Sequence, residues 1–279
     1  MDINNISREV IEIRPTRGLF DLDLGDVWRY RELLFFFVWR DIKVRYKQAA
    51  LGAGWAIIQP LVAVAIFTAI FGRFAKIPSD GIPYPVFAYS ALLPWTYFAE
   101  ALRRSGTGLV TESALVRKVY FPRLIIPLAG VITPLVDFAI SFVVLLVLMA
   151  FYGITPTWNI VYLPVLILIA TLLALAVGLL LGPINVRFRD VVHTLPFVTQ
   201  IWMYSSPIIY PLSLVPEEWR WLYSINPMVG VIEGFRWALL GKENPDFFAM
   251  GMGLIIIIAA LIAGMIFFKK NEPSFVDVI

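Results

Sequence analysis

Six apolar stretches, at residues 52–74, 85–102, 124–152, 159–183, 193–212 and 247–268, alternate with short polar segments along this chain. A helix needs about 20 predominantly apolar residues to cross the hydrocarbon core of a bilayer, and these stretches reach or approach that length. The pattern predicts an all-α membrane protein with six transmembrane helices. No segment between the stretches is long enough for a folded soluble domain, so the reading gives one membrane domain over 49–279, preceded by a polar tail over 1–27.

Three shorter segments carry their own pattern. From Trp28 to Gln48, seven apolar residues, Leu33 to Trp39, are bracketed by charges and by Trp28, Tyr30 and Tyr46. Seven residues cannot cross a bilayer. Interleaved aromatic and basic residues suit a helix lying in the headgroup layer with rings buried and charges wet, the plainer alternative being a basic flank that serves orientation. Between the second and third stretches, Gly106 to Arg123 is able to hold a short helix, with Thr111, Glu112 and Ser113 offering acceptors for the free amides at its start; a solvated loop is the other reading. Before the last stretch, Met228 to Leu240 is too short to span and too apolar for a free loop, and Pro227 and Gly241 punctuate it as a re-entrant or interfacial helix. Glu233 and Arg236, three apart within it, either pair on one face or form the wet side of a surface helix.

The charge distribution orients this pattern. Of 23 bases, 18 fall before the first stretch, between the second and third, between the fourth and fifth, or after the sixth. Only Arg73, Lys76, Arg220, Arg236 and Lys242 fall on the alternate side. The positive-inside rule then puts both termini in the cytoplasm and makes the number of spans even. Charges precede the first stretch for some fifty residues, so no cleavable signal peptide is expected.

Composition narrows the chemistry. The chain has 279 residues, 59% hydrophobic and 15% charged, with mean hydropathy +0.79. It has no cysteine and one histidine, His193, so a metal cage or a nucleophile and base pair is short of parts and no catalytic or metal site is expected. There is no phosphate-binding G-x-x-x-x-G-K-[ST], since Gly241 and Lys242 are followed by Glu243. Asp21 and Asp23 form the D-x-D of sugar-nucleotide enzymes, but in a short tail with no domain around them. A membrane glycosyltransferase would want a better acid cluster than this. Within the stretches stand Glu100, with Arg103 and Arg104 one turn away, and Asp137, with no partner nearby in sequence. An intramembrane acid faces the bundle interior, another subunit or water; Asp137 reads as a helix-to-helix hydrogen-bonding group, since a proton-coupled transporter would want a second acid. Aromatic residues at helical spacing, Phe67, Phe71 and Phe74 and then Phe197, Tyr204 and Tyr210, pack against lipid and neighbouring helices or line a passage on which sugar rings slide.

Four blocks carry a resemblance: RDIKVRYKQAALGAGWAIIQPL from Arg40, LLPWTYFAEAL with LVRKVYFPR up to Arg123, NVRFRDVVHTLPFVTQIWMYSSPIIYP from Asn185, and INPMVGVIEGFRWALLG from Ile225. In this order they resemble the membrane subunit of type-2 ABC exporters, and more narrowly the permeases that export O-antigen, related surface glycans or teichoic acids; a drug or lipid exporter is the alternative within the family. The resemblance implies a homodimer in the inner membrane, joined by two copies of a separate ATPase that binds ATP and Mg, and no role for nucleic acid. It implies an interfacial helix over 28–47, a coupling helix over 106–116 with Thr111, Glu112, Ser113 and Leu115 at the ATPase, and two short outer helices over 216–223 and 227–240. The first and fifth spans would form the passage. The implied substrate is a lipid-linked glycan, and Arg40, Arg45, Lys47, Arg103, Arg104, Arg117 and Lys118 are placed to attract its phosphates.

Overall fold

The computed structural model describes residues 24–47, 54–241 and 247–275. The tail to residue 23, with Asp21 and Asp23, Gln48, the start of the first apolar stretch and the Lys242 and Glu243 pair lie outside the described residues. All regular structure among the described residues is helical: α1 (Leu24–Arg29), α2 (Arg31–Lys47), α3 (Gly54–Phe67), α4 (Tyr84–Thr111), α5 (Ser113–Lys118), α6 (Ile125–Ile132), α7 (Pro134–Phe151), α8 (Leu163–Arg187), α9 (Val191–Tyr204), α10 (Glu217–Ile225), α11 (Pro227–Leu240) and α12 (Phe247–Asn271), with short 3₁₀ and π turns between some of them. Four continuous helical segments are long and apolar enough to cross a membrane: Gly54–Phe74, Ile125–Phe151, Trp158–Arg187 and Phe247–Ser274.

Local chemistry explains where the apolar stretches become something other than one straight helix. The first ends in a π-helical turn, Thr68–Phe74, closed by the Ala75 amide on the Ile70 carbonyl at 2.8 Å. Gly72 lies there against the Tyr84 ring, where a Cβ would come within 2.9 Å of Cγ, so the widened turn brings the two segments into contact. The third is divided into α6 and α7 at Thr133, because Pro134 has no amide to give; the Thr133 hydroxyl and amide both donate to the Ala129 carbonyl and keep the break tight. The fifth departs most from the sequence reading. Its helix α9 stops at Tyr204, after 14 residues, and the chain turns through Ser205 to Pro211. Pro207 forbids the helical hydrogen bond and Ser206 before it is pushed from helical geometry. At about 1.5 Å per residue, α9 is shorter than a bilayer core.

The centre of the molecule is α4. It is 28 residues long, nearly every side chain from Tyr84 to Phe98 is buried, and α8, α6, α7 and α11 pack around it. Its charged Glu100, Arg103 and Arg104 make it less apolar than its neighbours, and it is buried by protein instead. Helices surrounded by lipid gain little from apolar contact with one another, so close approach at small residues does the packing. Ser105 is the crossing point. A Cβ on Gly130 of α6 would lie 2.8 Å from the Ser105 amide nitrogen, and one on Gly178 of α8 would overlap the Ser105 side chain.

The two ends of the bundle differ. At one end α2, the connection around α5 and the tail of α12 meet: Phe37 packs at 6.0 Å on Phe121, Arg123 stands 3.8 Å from Glu272, and Phe268 meets Phe275. Arg187, Arg189, Lys269 and Lys270 are at helix ends on this side as the chain crosses back and forth. At the opposite end α11 closes over α4, and α10 packs on α11 and α12. Arg236 of α11 is buried there, donating to Glu233 Oε1 at 2.8 Å and to the Ile208 carbonyl at 3.0 Å, with its guanidinium 3.7 Å over the Phe87 ring. Of the two sequence readings for this pair, the structure shows the paired one, and Arg236 is not on a wet face. Gly241 ends α11 in the left-handed conformation, φ 69°, its amide on the Trp237 carbonyl. Arg236→Leu strips the buried Ile208 carbonyl of its donor and removes one ion pair from Glu233, and should cost about 2–4 kcal/mol, read as a fall of several degrees in the thermal unfolding midpoint of the detergent-solubilised protein.

Candidate site at the basic end

A cavity of about 580 Å³ opens between five helices at this end. Arg45 and Tyr46 come from α2, Trp55, Gln59 and Pro60 from α3, Trp95, Thr96, Glu100 and Arg103 from α4, Asp137, Phe138 and Ser141 from α7, and Pro196, Thr199 and Met203 from α9. Its floor is charged and its wall aromatic and aliphatic. Guanidinium, carboxylate and hydroxyl groups there offer donors and acceptors to a polar group, and the rings offer an apolar surface. Among the described residues no group of three His, Cys, Asp or Glu side chains is placed to hold a metal ion.

A chain of alternating charges runs from that floor to the α4–α5 junction. Asp137 forms an ion pair with Arg45 and accepts from the Tyr46 hydroxyl, so the acid that lacks a partner in the sequence has two in space. Arg45 stands 3.7 Å from Glu100, which also accepts from Arg103 at 2.8 Å and Arg104 at 2.8 Å. Arg104 reaches Asp41 at 3.2 Å, and Asp41 accepts from Arg40 at 2.9 Å. Arg40 then holds both carboxylate oxygens of Glu112, Nη1 donating to Oε2 at 3.0 Å and Nη2 to Oε1. Four arginines and four acids balance.

This arrangement changes the reading of α2. Its rings Phe35, Phe36 and Trp39 are exposed, whereas Phe37, Arg40, Asp41 and Arg45 face the bundle. Those charges are paired with protein, Arg40 and Asp41 half-buried and Arg45 still exposed. The hydrogen bond and the coulombic attraction of Glu112 raise the Arg40 pKa above its ordinary value, so the guanidinium keeps its charge. Burial first, then the bond to Asp137, pushes the Tyr46 phenol up to about 12. A raised pKa means the folded state holds this proton more tightly than the unfolded one. The associated stability is therefore complete below about pH 10 and lost as pH rises from 10 toward 12. A phenolate difference titration of the protein against Tyr46→Phe should place the missing transition near pH 12 rather than 10.

The other site residues read from the sequence fall in several places. Thr111 ends α4, Glu112 is the joint, and Ser113 opens the six-residue α5, so the segment 106–116 is half the end of a long helix and half a short one. Leu115 is partly buried and its amide donates to the Glu112 carbonyl at 2.9 Å; Val116 is buried. Lys47, Arg117 and Lys118 are exposed. Of the six aromatic candidates for a passage, none lines the cavity. Phe67 and Phe71 meet edge to face at 5.6 Å and pack against Tyr84 and Phe87, Phe74 is exposed at the end of the π-helical turn and Phe197 and Tyr204 are exposed on α9, and the Tyr210 hydroxyl lies 2.8 Å from that of Tyr223. Sequence reasoning missed Asp41 and Tyr46. Asp41 had a signal, standing one helical turn before Arg45.

Comparison with known proteins places this architecture. Over 251 residues the chain is 30% identical to the O-antigen export system permease protein RfbA of Myxococcus xanthus, covering 88% of this chain and 95% of that one. It is 27% identical over 250 residues to the RfbA of Klebsiella pneumoniae, covering 89% and 95%, and 25% identical over 245 residues to the polysialic acid transport protein KpsM of Escherichia coli, covering 84% and 92%. Residues 32–240, from the second residue of α2 to the last of α11, match the family described as ABC-2 type transporter. The chain is a member of the ABC-2 type transporter family.

Proposed function

We propose that this protein is the permease subunit of an ATP-driven exporter that moves a lipid-linked surface polysaccharide across the inner membrane. The observation that carries the reading is the full-length similarity to permeases named for O-antigen export, over 88% of this chain. In this reading the basic end faces the cytoplasm with both termini, α9 and the turn after it complete a sixth crossing with α4 and the four apolar spans, and a second copy of the chain packs on the poorly covered faces of α3 and α9. Only 6% of the Gly54–Phe74 window is buried, against 50% of the Trp158–Arg187 window, which fits a first span that waits for a neighbour.

ATP and Mg belong to two copies of a partner ATPase that grips residues 111–118. Lys47, Arg117 and Lys118, exposed at the basic end, draw the phosphates of the lipid carrier toward the membrane. Arg40, Arg45, Arg103 and Arg104 are occupied by Glu112, Asp41, Asp137 and Glu100. Exposed Phe74, Phe197 and Tyr204 offer sugar rings a wall in the dimer. The test is co-purification with the ATPase of the neighbouring reading frame, followed by hydrolysis assays in lipid. Stimulation by a lipid-linked glycan is the expected result; a complex that does not form, or one stimulated only by drugs or phospholipid, overturns the reading.

A further inference from the structure

The interfacial helix α2 is fastened along one face to three other elements, and the order of the fastenings is informative. Phe37 is wedged against Phe121, Arg40 forks onto Glu112 at the α4–α5 joint, Asp41 meets Arg104 in α4, and Arg45 with Tyr46 holds Asp137 in α7. Positions 37, 41 and 45 are successive turns of one helical face. The opposite face, with Phe35, Phe36 and Trp39, touches no protein strongly. α2 is therefore pinned at two points along one face, to the 111–116 turn at Arg40 in its middle and to the cavity floor at Arg45 near its end.

We propose that the Arg40 and Glu112 pair is the positioning link that carries displacement of the 111–116 turn through α2 to the cavity floor. This rests on the exporter reading above. The α5 segment is six residues long and follows directly on Glu112, so a push on α5 moves the Glu112 carboxylate first. Two parallel hydrogen bonds from one guanidinium resist both sliding and rotation, which a single-point ion pair does not. Asp41, the next residue, passes the motion to Arg104, and Arg45, one turn on, shifts the partners of Asp137 and Glu100 where they line the cavity. A nucleotide on the partner can bias the substrate space only through contacts that differ between two states, and this chain of pairs is a physical route for the bias.

A charge-swap series on the reconstituted complex with its ATPase tests the link, with glycan moved per ATP hydrolysed as the readout. Arg40→Glu and Glu112→Arg should each lower that ratio about ten-fold, and the double swap should restore it to within about three-fold of the starting protein. Arg40→Lys, which keeps the charge and loses the fork, should fall between. A second readout uses the absence of native cysteine: spin labels on Lys43→Cys and on Tyr120→Cys, an exposed position outside the gripped segment, should keep one separation with and without ATP, and should part on ATP addition when Glu112→Gln is also present. Single variants that keep the ratio within about two-fold, a folded double swap that recovers nothing, or labels that separate in the otherwise unaltered complex each overturn the link. A starting complex that moves no glycan would instead overturn the exporter reading on which the link rests.

Discussion

Gly130→Val should leave almost no folded protein in the membrane. The first atom added at Gly130 would meet the Ser105 amide nitrogen at 2.8 Å and the Arg104 carbonyl carbon at 2.9 Å, and both are backbone of the buried central helix. A flexible side chain could swing away; a helix backbone held by α8 on its other side cannot. Overpacking of this kind costs about 1–3 kcal/mol or more, and a β-branched residue adds a second and third clash. The displacement also falls on Arg104, whose guanidinium joins Asp41 to Glu100, so the ion chain would be disturbed with it. Gly251, with nothing within 4 Å of an added Cβ, is the matched control, and Gly251→Ala should accumulate normally. Gel-filtration recovery after mild solubilisation measures both.

Leu115→Pro should stop export while the protein still accumulates and still binds its membrane. The Leu115 amide closes the first turn of α5 on the Glu112 carbonyl at 2.9 Å, and proline has no proton to give there. The turn would open between Glu112 and Val116, and Val116 would leave its buried place. Leu115→Glu puts a charge on the same half-buried position with the backbone intact, so the two variants separate loss of shape from loss of apolar contact. Each should lower glycan export at least about ten-fold, the scale of a lost coupling between sites, as followed by surface glycan on intact cells beside membrane content on immunoblots. Full export by both would remove α5 from the coupling path.

Fold class was legible because hydropathy is a local property. The 247–268 run needs no partner to declare itself apolar, and it stands within α12. Where the sequence reading went astray, proline and partner contacts decided. The 193–212 run is mostly apolar, yet Pro207 ends the helix at Tyr204, a boundary that composition averages away. The site was less legible for a different reason. Tyr46 and Asp137 are 91 residues apart, and Arg40 and Glu112 are 72 apart, so neither pair leaves a spacing that could be read along the chain. What the sequence does hold is the anomaly on each side: a lone acid in an apolar run, and an interfacial segment with more charge than an orienting flank needs. Glu100 with Arg103 and Arg104 was readable because helical spacing brings them together. The aromatic stripes were readable as stripes but not by destination, since Phe67 and Phe71 turn toward Tyr84 while Phe197 and Tyr204 turn outward.

In the proposed exporter this subunit is driven from outside itself, by a partner bound at residues 111–118 on the cytoplasmic face. The chain has no native cysteine, so a single Ala114→Cys, at an exposed position of α5, gives a clean probe. With the ATPase present, a membrane-impermeant maleimide should leave this cysteine unlabelled in intact cells, label it in inverted vesicles stripped of the ATPase, and fail to label it once the ATPase is restored. Labelling in intact cells, or labelling indifferent to the ATPase, would contradict the account.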